Sequence, residues 1–178
     1  MFGISIRELF AFPFQRLSLE TSLPVANVLK RMEEAVEPRR RWRFSRLHRD
    51  FEGVLSRTRF TIVRIIQYRN SFLPVITGTI QPRPQGGTHI EVTMRLHWLV
   101  TAFMIVWAGV PVVILTAALL HLDFPAGAST AARQARGELF GVAVVMLSFG
   151  YGLCSVCFNL EARRARELLV KILDASAK

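Results

Sequence analysis

The sequence predicts a membrane α+β protein: an N-terminal antiparallel sheet of about five strands with one packed helix, then a two-helix transmembrane hairpin and a short amphipathic tail helix. Two stretches without a charged residue, Trp98–Leu120 and Leu139–Phe158, are the first observation behind this prediction. The second is the alternation of apolar and polar residues in several segments before residue 97. The third is length. Outside the apolar stretches, residues 1–97 are the only segment of the 178-residue chain that is long enough to form a packed soluble domain.

The first predicted elements are a strand and a helix. Residues alternate in character through Phe14–Ser22, which is typical of a half-buried strand. Pro24 then stands at a position suited to the first turn of a helix. Apolar residues recur at helical spacing from there, so we expect a helix from Pro24 to about Val36 that ends at Glu37-Pro38.

Four further strands are predicted as two hairpins: Phe51–Ser56 with Arg59–Tyr68, and Leu73–Gln81 with Thr88–Leu96. Turns are expected at Arg57-Thr58 and in the Pro/Gly-rich residues 82–87. The last strand alternates most regularly, with Ile90, Val92, Met94 and Leu96 on one face. Arg64 lies among apolar neighbours, and we expect it to be exposed at a sheet edge, with Glu52 as its candidate partner if it is buried.

The two uncharged stretches are long enough to cross a bilayer. At about 1.5 Å per residue, 23 and 20 residues span roughly 35 and 30 Å, against a hydrocarbon core of about 30 Å. Residues 1–97 hold 16 Lys/Arg against 8 Asp/Glu, and the tail from residue 159 holds 5 against 3. Since basic segments favour the cytoplasmic side, we expect both termini inside and the connecting loop outside.

The domains are therefore expected to be a basic cytosolic α+β domain at 1–97, a hairpin at 98–158 and a cytosolic amphipathic tail at 159–178. Arg95, His97 and Trp98 form the junction between the domain and the membrane, where Trp98 suits an interfacial anchor. Ser148 and Gly152 form a small-xxx-small pair that suits close helix packing, either within the hairpin or in a homo-oligomer. The two cysteines lie inside the second span, where they indicate packing rather than redox chemistry.

A basic run between residues 38 and 49 is the densest charge in the chain. Its candidate contacts with an anionic surface are Arg39, Arg40, Arg41, Trp42, Arg43, Arg46 and Arg49. Arginines between aromatic residues suit phosphates, and the nearby spans favour lipid head groups over nucleic acid, with a solvated loop as the other interpretation. The apolar residues 1–14 suit either a segment packed on the domain or one lying on the bilayer.

Residues 65–74 contain a second candidate, a polar loop between strands. Asn70 suits a local turn hydrogen bond. The alternative is a functional loop that projects Arg69 and Asn70 toward a ligand or the bilayer.

Catalytic and metal-binding patterns are not evident in the sequence. The four histidines are scattered, no phosphate-binding glycine loop is present, and the acidic residues suit solvated faces. We therefore expect no enzyme activity, no metal site and no cofactor. The spans also lack the ionisable residues that ion or proton pathways use.

The segments RIIQYRNSFLPVITGTI (64–80) and GGTHIEVTMRLHWLVTAFMIVW (86–107) resemble a group of small bacterial two-span membrane proteins with no assigned function. The resemblance covers roughly Phe51 to Trp107, and the MRLH segment before the first span is its most specific part. It implies a bacterial source and the domain-then-hairpin layout, and together with the charge bias we expect the cytoplasmic membrane. The strand-then-helix start is also similar to helix-grip lipid-binding folds, with membrane spans expected in place of their long C-terminal helix.

Two functional hypotheses remain after these observations. The first is a membrane-tethered binding or sensing module at the cytoplasmic leaflet, with anionic lipids as partners. The alternative is a membrane-perturbing effector of a bacterial defence or toxin system, which would oligomerise through the second span.

Overall fold

The computed structural model describes residues 11–38, 49–120 and 130–177. The strands are β1 (Phe14–Thr21), β2 (Val36–Pro38), β3 (Phe51–Leu55), β4 (Arg59–Arg64), β5 (Val75–Pro82), β6 (Thr88–Arg95) and the two-residue β7 (Ser176–Ala177). The helices are α1 (Val25–Ala35), α2 (Trp98–Leu120) and α3 (Thr130–Leu173). The chain divides into a first unit of Met1–His97 with Ser155–Lys178 and a second unit of Trp98–Cys154.

Six strands and the short β7 form one mixed sheet in the order β2-β3-β4-β5-β6-β1-β7. All neighbours are antiparallel except β2 and β3, which run parallel. The expectation of about five antiparallel strands missed β2 and β7. Both are too short to show an alternating pattern, and β2 begins directly where α1 ends.

The predicted hairpins are present, and their turns follow from the residues in them. The amide of Ser56 donates to the carbonyl of Arg59 (2.8 Å), which closes a two-residue turn between β3 and β4. Gly86 and Gly87 have φ of 89° and 86° in the turn between β5 and β6, a region that favours glycine. The alternation in β6 is confirmed, since Ile90, Val92 and Met94 are buried in the core.

The core of the first unit lies between one face of the sheet and two helices. From α1 it takes Val28 and Met32. The end of α3 contributes Phe158, Ala162, Ala165, Leu169 and Leu173, all of them fully buried. The first segment of this unit ends at His97, and residues of Ser155–Lys178 share one core with it.

The prediction of a short tail helix is wrong. α3 is one helix of 44 residues that passes from the uncharged stretch into the core of the first unit. Residues 159–173 contain no glycine or proline and consist mainly of strong helix formers, so nothing in them ends the helix after Phe158. A C-terminal helix that packs on the sheet is thus present, although the spans were expected to replace it.

Hydrogen bonds hold α3 beside β1 at both ends of that strand. Gln15 Nε2 donates to Asn159 Oδ1 (2.8 Å) at one end, and Thr21 Oγ1 donates to the carbonyl of Leu173 (3.0 Å) at the other. Six strand residues rise about 20 Å and fourteen helix residues about 21 Å, so the two elements keep in step along their contact.

The second unit consists of apolar helix whose side chains are mostly exposed. α2 within Trp98–Ala117 and α3 within Arg133–Leu173 are long and apolar enough to cross a membrane. Only 6% and 17% of the residues in their most apolar parts are buried. A buried core helix of a soluble protein would show the opposite, so the core of this chain does not account for their composition.

Candidate functional site

A dense set of polar contacts in the described part of the first unit surrounds the carboxylate of Glu161. This Glu161 cluster consists of Arg64 at the end of β4, Tyr68 in the loop that follows, and Glu161 and Arg164 on α3. The side chain of Glu161 is only 3% exposed. A carboxylate in such a position requires opposite charge and hydrogen-bond donors.

Each oxygen of Glu161 has two donor groups. Oε2 accepts from Arg64 Nε (3.0 Å) and also contacts Arg64 Nη2. Oε1 accepts from the Tyr68 hydroxyl and from Arg164 Nη1 (2.9 Å). The carboxylate is therefore saturated by the three side chains around it.

The Tyr68 hydroxyl links the two arginines. It accepts from Arg64 Nη2 and from Arg164 Nη1, each at 3.0 Å, while it donates to Glu161. Burial and the hydrogen bond to Glu161 raise the pKa of the Tyr68 phenol, so the hydroxyl keeps its proton at neutral pH.

The electrostatics of the cluster favour an ionised Glu161. Burial acts to raise the pKa of its carboxyl. The hydrogen bonds from Tyr68 and Arg64 and the two guanidinium charges outweigh burial, so this pKa lies below its ordinary value of 4.5.

The expected environment of Arg64 is wrong in two respects. Its side chain is 16% exposed rather than at an open edge, and its partner is Glu161 rather than Glu52. Arg64 stands opposite Phe51 in the sheet, so Glu52, one residue further along β3, points to the other face.

The candidate loop after β4 contributes a residue other than the two predicted. Asn70 Oδ1 accepts from the amide of Phe72 (2.9 Å), which is the local turn bond expected for it. Arg69 is exposed, and the contact with α3 comes from Tyr68. The sequence around Tyr68, four residues after Arg64, contains no pattern that predicts a contact with Glu161 about ninety residues away.

The basic run lies outside the described residues at Arg39, Arg40, Arg41, Trp42, Arg43 and Arg46, as do residues 1–10. Its last member, Arg49, is described. Arg49 Nη1 donates to the carbonyls of Glu33 (3.0 Å) and Val36 (2.7 Å), so its guanidinium binds the end of α1.

The remaining predicted residues lie in the two units as follows. Arg95 ends β6, His97 ends the first segment of the first unit, and Trp98 is exposed at the start of α2. Ser148 is exposed and Gly152 half-buried. A close approach within the second unit occurs at Gly150, where an added Cβ would lie 2.9 Å from the indole nitrogen of Trp107.

One row of polar side chains on the open face of the sheet has the residue types of a hydrolase triad. Ser18 Oγ lies 3.5 Å from His89 Nδ1, and His89 Nε2 lies 3.9 Å from the carboxylate of Glu91. Both distances exceed the 2.6–3.2 Å over which such groups exchange protons. They fit an ordinary cross-strand pair (Ser18 and His89) and an i, i+2 pair on one strand (His89 and Glu91), both on a solvated face.

Comparison of the chain with protein families, curated proteins and solved structures finds no match. Among the described residues, no three His, Cys, Asp or Glu side chains come together as a metal site. The Glu161 cluster is accordingly the candidate functional site of the first unit.

Proposed function

We propose that this protein is a non-enzymatic, membrane-tethered binding and sensing module, held at the cytoplasmic leaflet of a bacterial inner membrane by α2 and α3. The observation that carries the proposal is the exposure of these apolar helices. Of the large hydrophobic side chains exposed in the described residues, all but Phe12, Phe14, Val54 and Tyr68 belong to them. At about 1.5–3 kcal/mol for each such side chain, their transfer from water into lipid is worth tens of kcal/mol.

The shared core of the first unit supports two crossings. Residues before α2 and the last turns of α3 pack into the same core, so they must lie on the same side of a bilayer. An even number of crossings satisfies this condition, and the two long apolar helices supply it.

The charge of the chain supports the cytoplasmic side. The two sequence segments of the first unit together hold 21 Lys/Arg (16 in residues 1–97 and 5 after residue 158) against 11 Asp/Glu (8 and 3). Basic segments beside spans are retained in the cytoplasm, and the anionic lipids of that leaflet attract each such residue by about 1 kcal/mol.

Binding is favoured over catalysis by the state of Glu161. Its carboxylate is buried and contacts both arginines of the cluster. Neither of its oxygens is left to exchange protons with a substrate. The uncharged spans also favour a tether over an ion pathway, because translocators place ionisable groups at membrane depth.

A charge placed in the apolar helix tests membrane insertion. Val145 on α3 and Val54 on β3 are 65% and 67% exposed, so Val145→Asp and Val54→Asp make the same change at equally open positions. In lipid, an aspartate near the centre of a span costs about 2.5–3.5 kcal/mol, so we expect Val145→Asp to reduce the fraction of protein that resists alkaline carbonate extraction. Val54→Asp should leave that fraction unchanged.

Equal behaviour of the two variants, with both proteins in the soluble fraction, would refute the membrane proposal. Orientation is read from a green fluorescent protein fused after Lys178, which fluoresces only if the C-terminus is cytoplasmic. A membrane-potential dye during induced expression separates the tether from the membrane-perturbing effector, since only the effector causes a sustained loss of potential.

A further inference from the structure

Arg164 is a guanidinium that the structure holds in place while leaving one edge open. Its side chain is 56% exposed, and its bonds to Glu161 and Tyr68 both use Nη1. Nε and Nη2 make no bond to other described residues. These two nitrogens form a planar edge with parallel donors, the geometry with which arginine binds two oxygens of a phosphate.

The charge of the Glu161 cluster is not balanced. Two guanidinium groups share one carboxylate, which leaves a net charge of about +1. Arg64 is largely buried against Glu161, whereas Arg164 is the member open to solvent. The excess positive charge is therefore presented by Arg164. The loop that holds Tyr68 also carries the exposed Arg69.

Holding Arg164 in place lowers the cost of binding. A free arginine side chain loses much of its rotamer freedom when it is fixed. Here part of that cost is already met by the contacts to Tyr68 and Glu161, so an incoming anion finds its donors oriented.

Arg164 lies close along the chain to the uncharged stretch of α3. It follows Phe158, the last residue of that stretch, by six residues, or about 9 Å of helix. If α3 crosses a membrane as proposed, Arg164 is therefore among the first charged residues after the span.

We propose that the open edge of Arg164 binds an anionic phosphate group, with Glu161, Tyr68 and Arg64 as positioning residues. The phosphate is carried either by a lipid head group or by a small soluble molecule. The lipid form rests on the proposed membrane location, while the chemistry of the site does not.

The test compares Arg164→Gln with Arg166→Gln in the full chain, purified in a mild neutral detergent. Arg166 lies two residues further along the same helix and is also exposed, so the second variant removes the same charge outside the cluster. Native mass spectrometry measures the retention of phosphatidic acid, with diacylglycerol as the ligand that lacks the phosphate. We expect Arg164→Gln to weaken phosphatidic acid binding by at least about tenfold and Arg166→Gln to change it little.

Arg164→Lys keeps the charge but loses the planar edge, and it should bind with intermediate affinity. Competition by inorganic phosphate identifies the source, because displacement of the lipid at millimolar phosphate indicates a soluble ligand and its absence a lipid. Equal weakening by Arg164→Gln and Arg166→Gln, or none by either, would overturn the site. Since this assay is performed in detergent, such a result is independent of the extraction of Val145→Asp and Val54→Asp.

Discussion

Leu169 tests whether the end of α3 belongs to the core of the first unit. It is fully buried there, and Leu169→Ala removes three carbon atoms. At about 0.8 kcal/mol per buried carbon the transfer loss is about 2.4 kcal/mol, and the cavity left behind brings the total to about 3–5 kcal/mol. Arg166→Ala is the matched control, since the exposed Arg166 lies on the same helix and its loss should stay within about 0.5 kcal/mol.

The measurement is pulse proteolysis of the full chain in urea and a non-ionic detergent. Urea leaves the micelle-embedded helices largely intact, so the transition reports on the first unit. With a slope of about 1.5 kcal/mol per molar urea, a loss of 3 kcal/mol lowers the midpoint by about 2 M. If the Leu169→Ala and Arg166→Ala midpoints coincide, residues 155–173 do not belong to this core and the description of the first unit fails.

Three further predictions use the same assay. Gly78→Ala places a Cβ 2.2 Å from the ring of Phe60 and should cost about 1–3 kcal/mol of stability. Most of this loss should disappear when Phe60 is also replaced by leucine, and additive losses from the two substitutions would contradict the contact. Thr21→Val should cost about 1–2 kcal/mol, because the Thr21 hydroxyl donates a hydrogen bond to the last carbonyl of α3. Thr79→Val removes a buried hydroxyl without a hydrogen-bond partner and should be neutral or stabilising. The reverse order of the two stabilities would contradict the hydrogen bonding described for these threonines. The pKa of Glu161 is lowered in the folded protein, so its contribution to stability is complete above the ordinary value of 4.5 and is lost as the pH falls through the folded-state pKa. The urea midpoint of the wild type should therefore fall in that acidic range more steeply than the midpoint of Glu161→Gln. Parallel curves of midpoint against pH would exclude this linkage.

Much of the sheet could be predicted because its strands alternate strictly. In β6 the side chains of Ile90, Val92 and Met94 share a face, and burial follows that pattern directly. The hairpin turns carry equally local information in their glycines and prolines. β2 could not be predicted, since three residues at the end of a helix show no period.

The end of α3 was harder to interpret because its buried face includes small residues. Ala162 and Ala165 are fully buried, yet alanine is also the best residue for an exposed helix, so neither marks the face that packs. The leucines near the end predicted an amphipathic helix without saying what it packs against.

The Glu161 cluster depended on pairings between distant parts of the chain. Arg64 and Glu161 are separated by 97 residues, and the sequence between them includes both apolar stretches. Local reasoning about strand neighbours led to Glu52, because alternation shows which residues share a strand face but not which helix lies over that face.

The sharing of one core by both ends of the chain has a consequence for biosynthesis. When residue 97 is added to the growing chain, 76 residues are still to be made before Leu173 completes α3 (173 less 97), which takes about 4–15 s at 5–20 residues per second. During that interval the sheet lacks the helix that covers it, and its apolar face stays open to chaperones and proteases. If the two apolar helices cross a membrane as proposed, the sheet is covered only when the end of α3 returns to the side on which the sheet lies, so completion of the fold would act as a check on correct insertion.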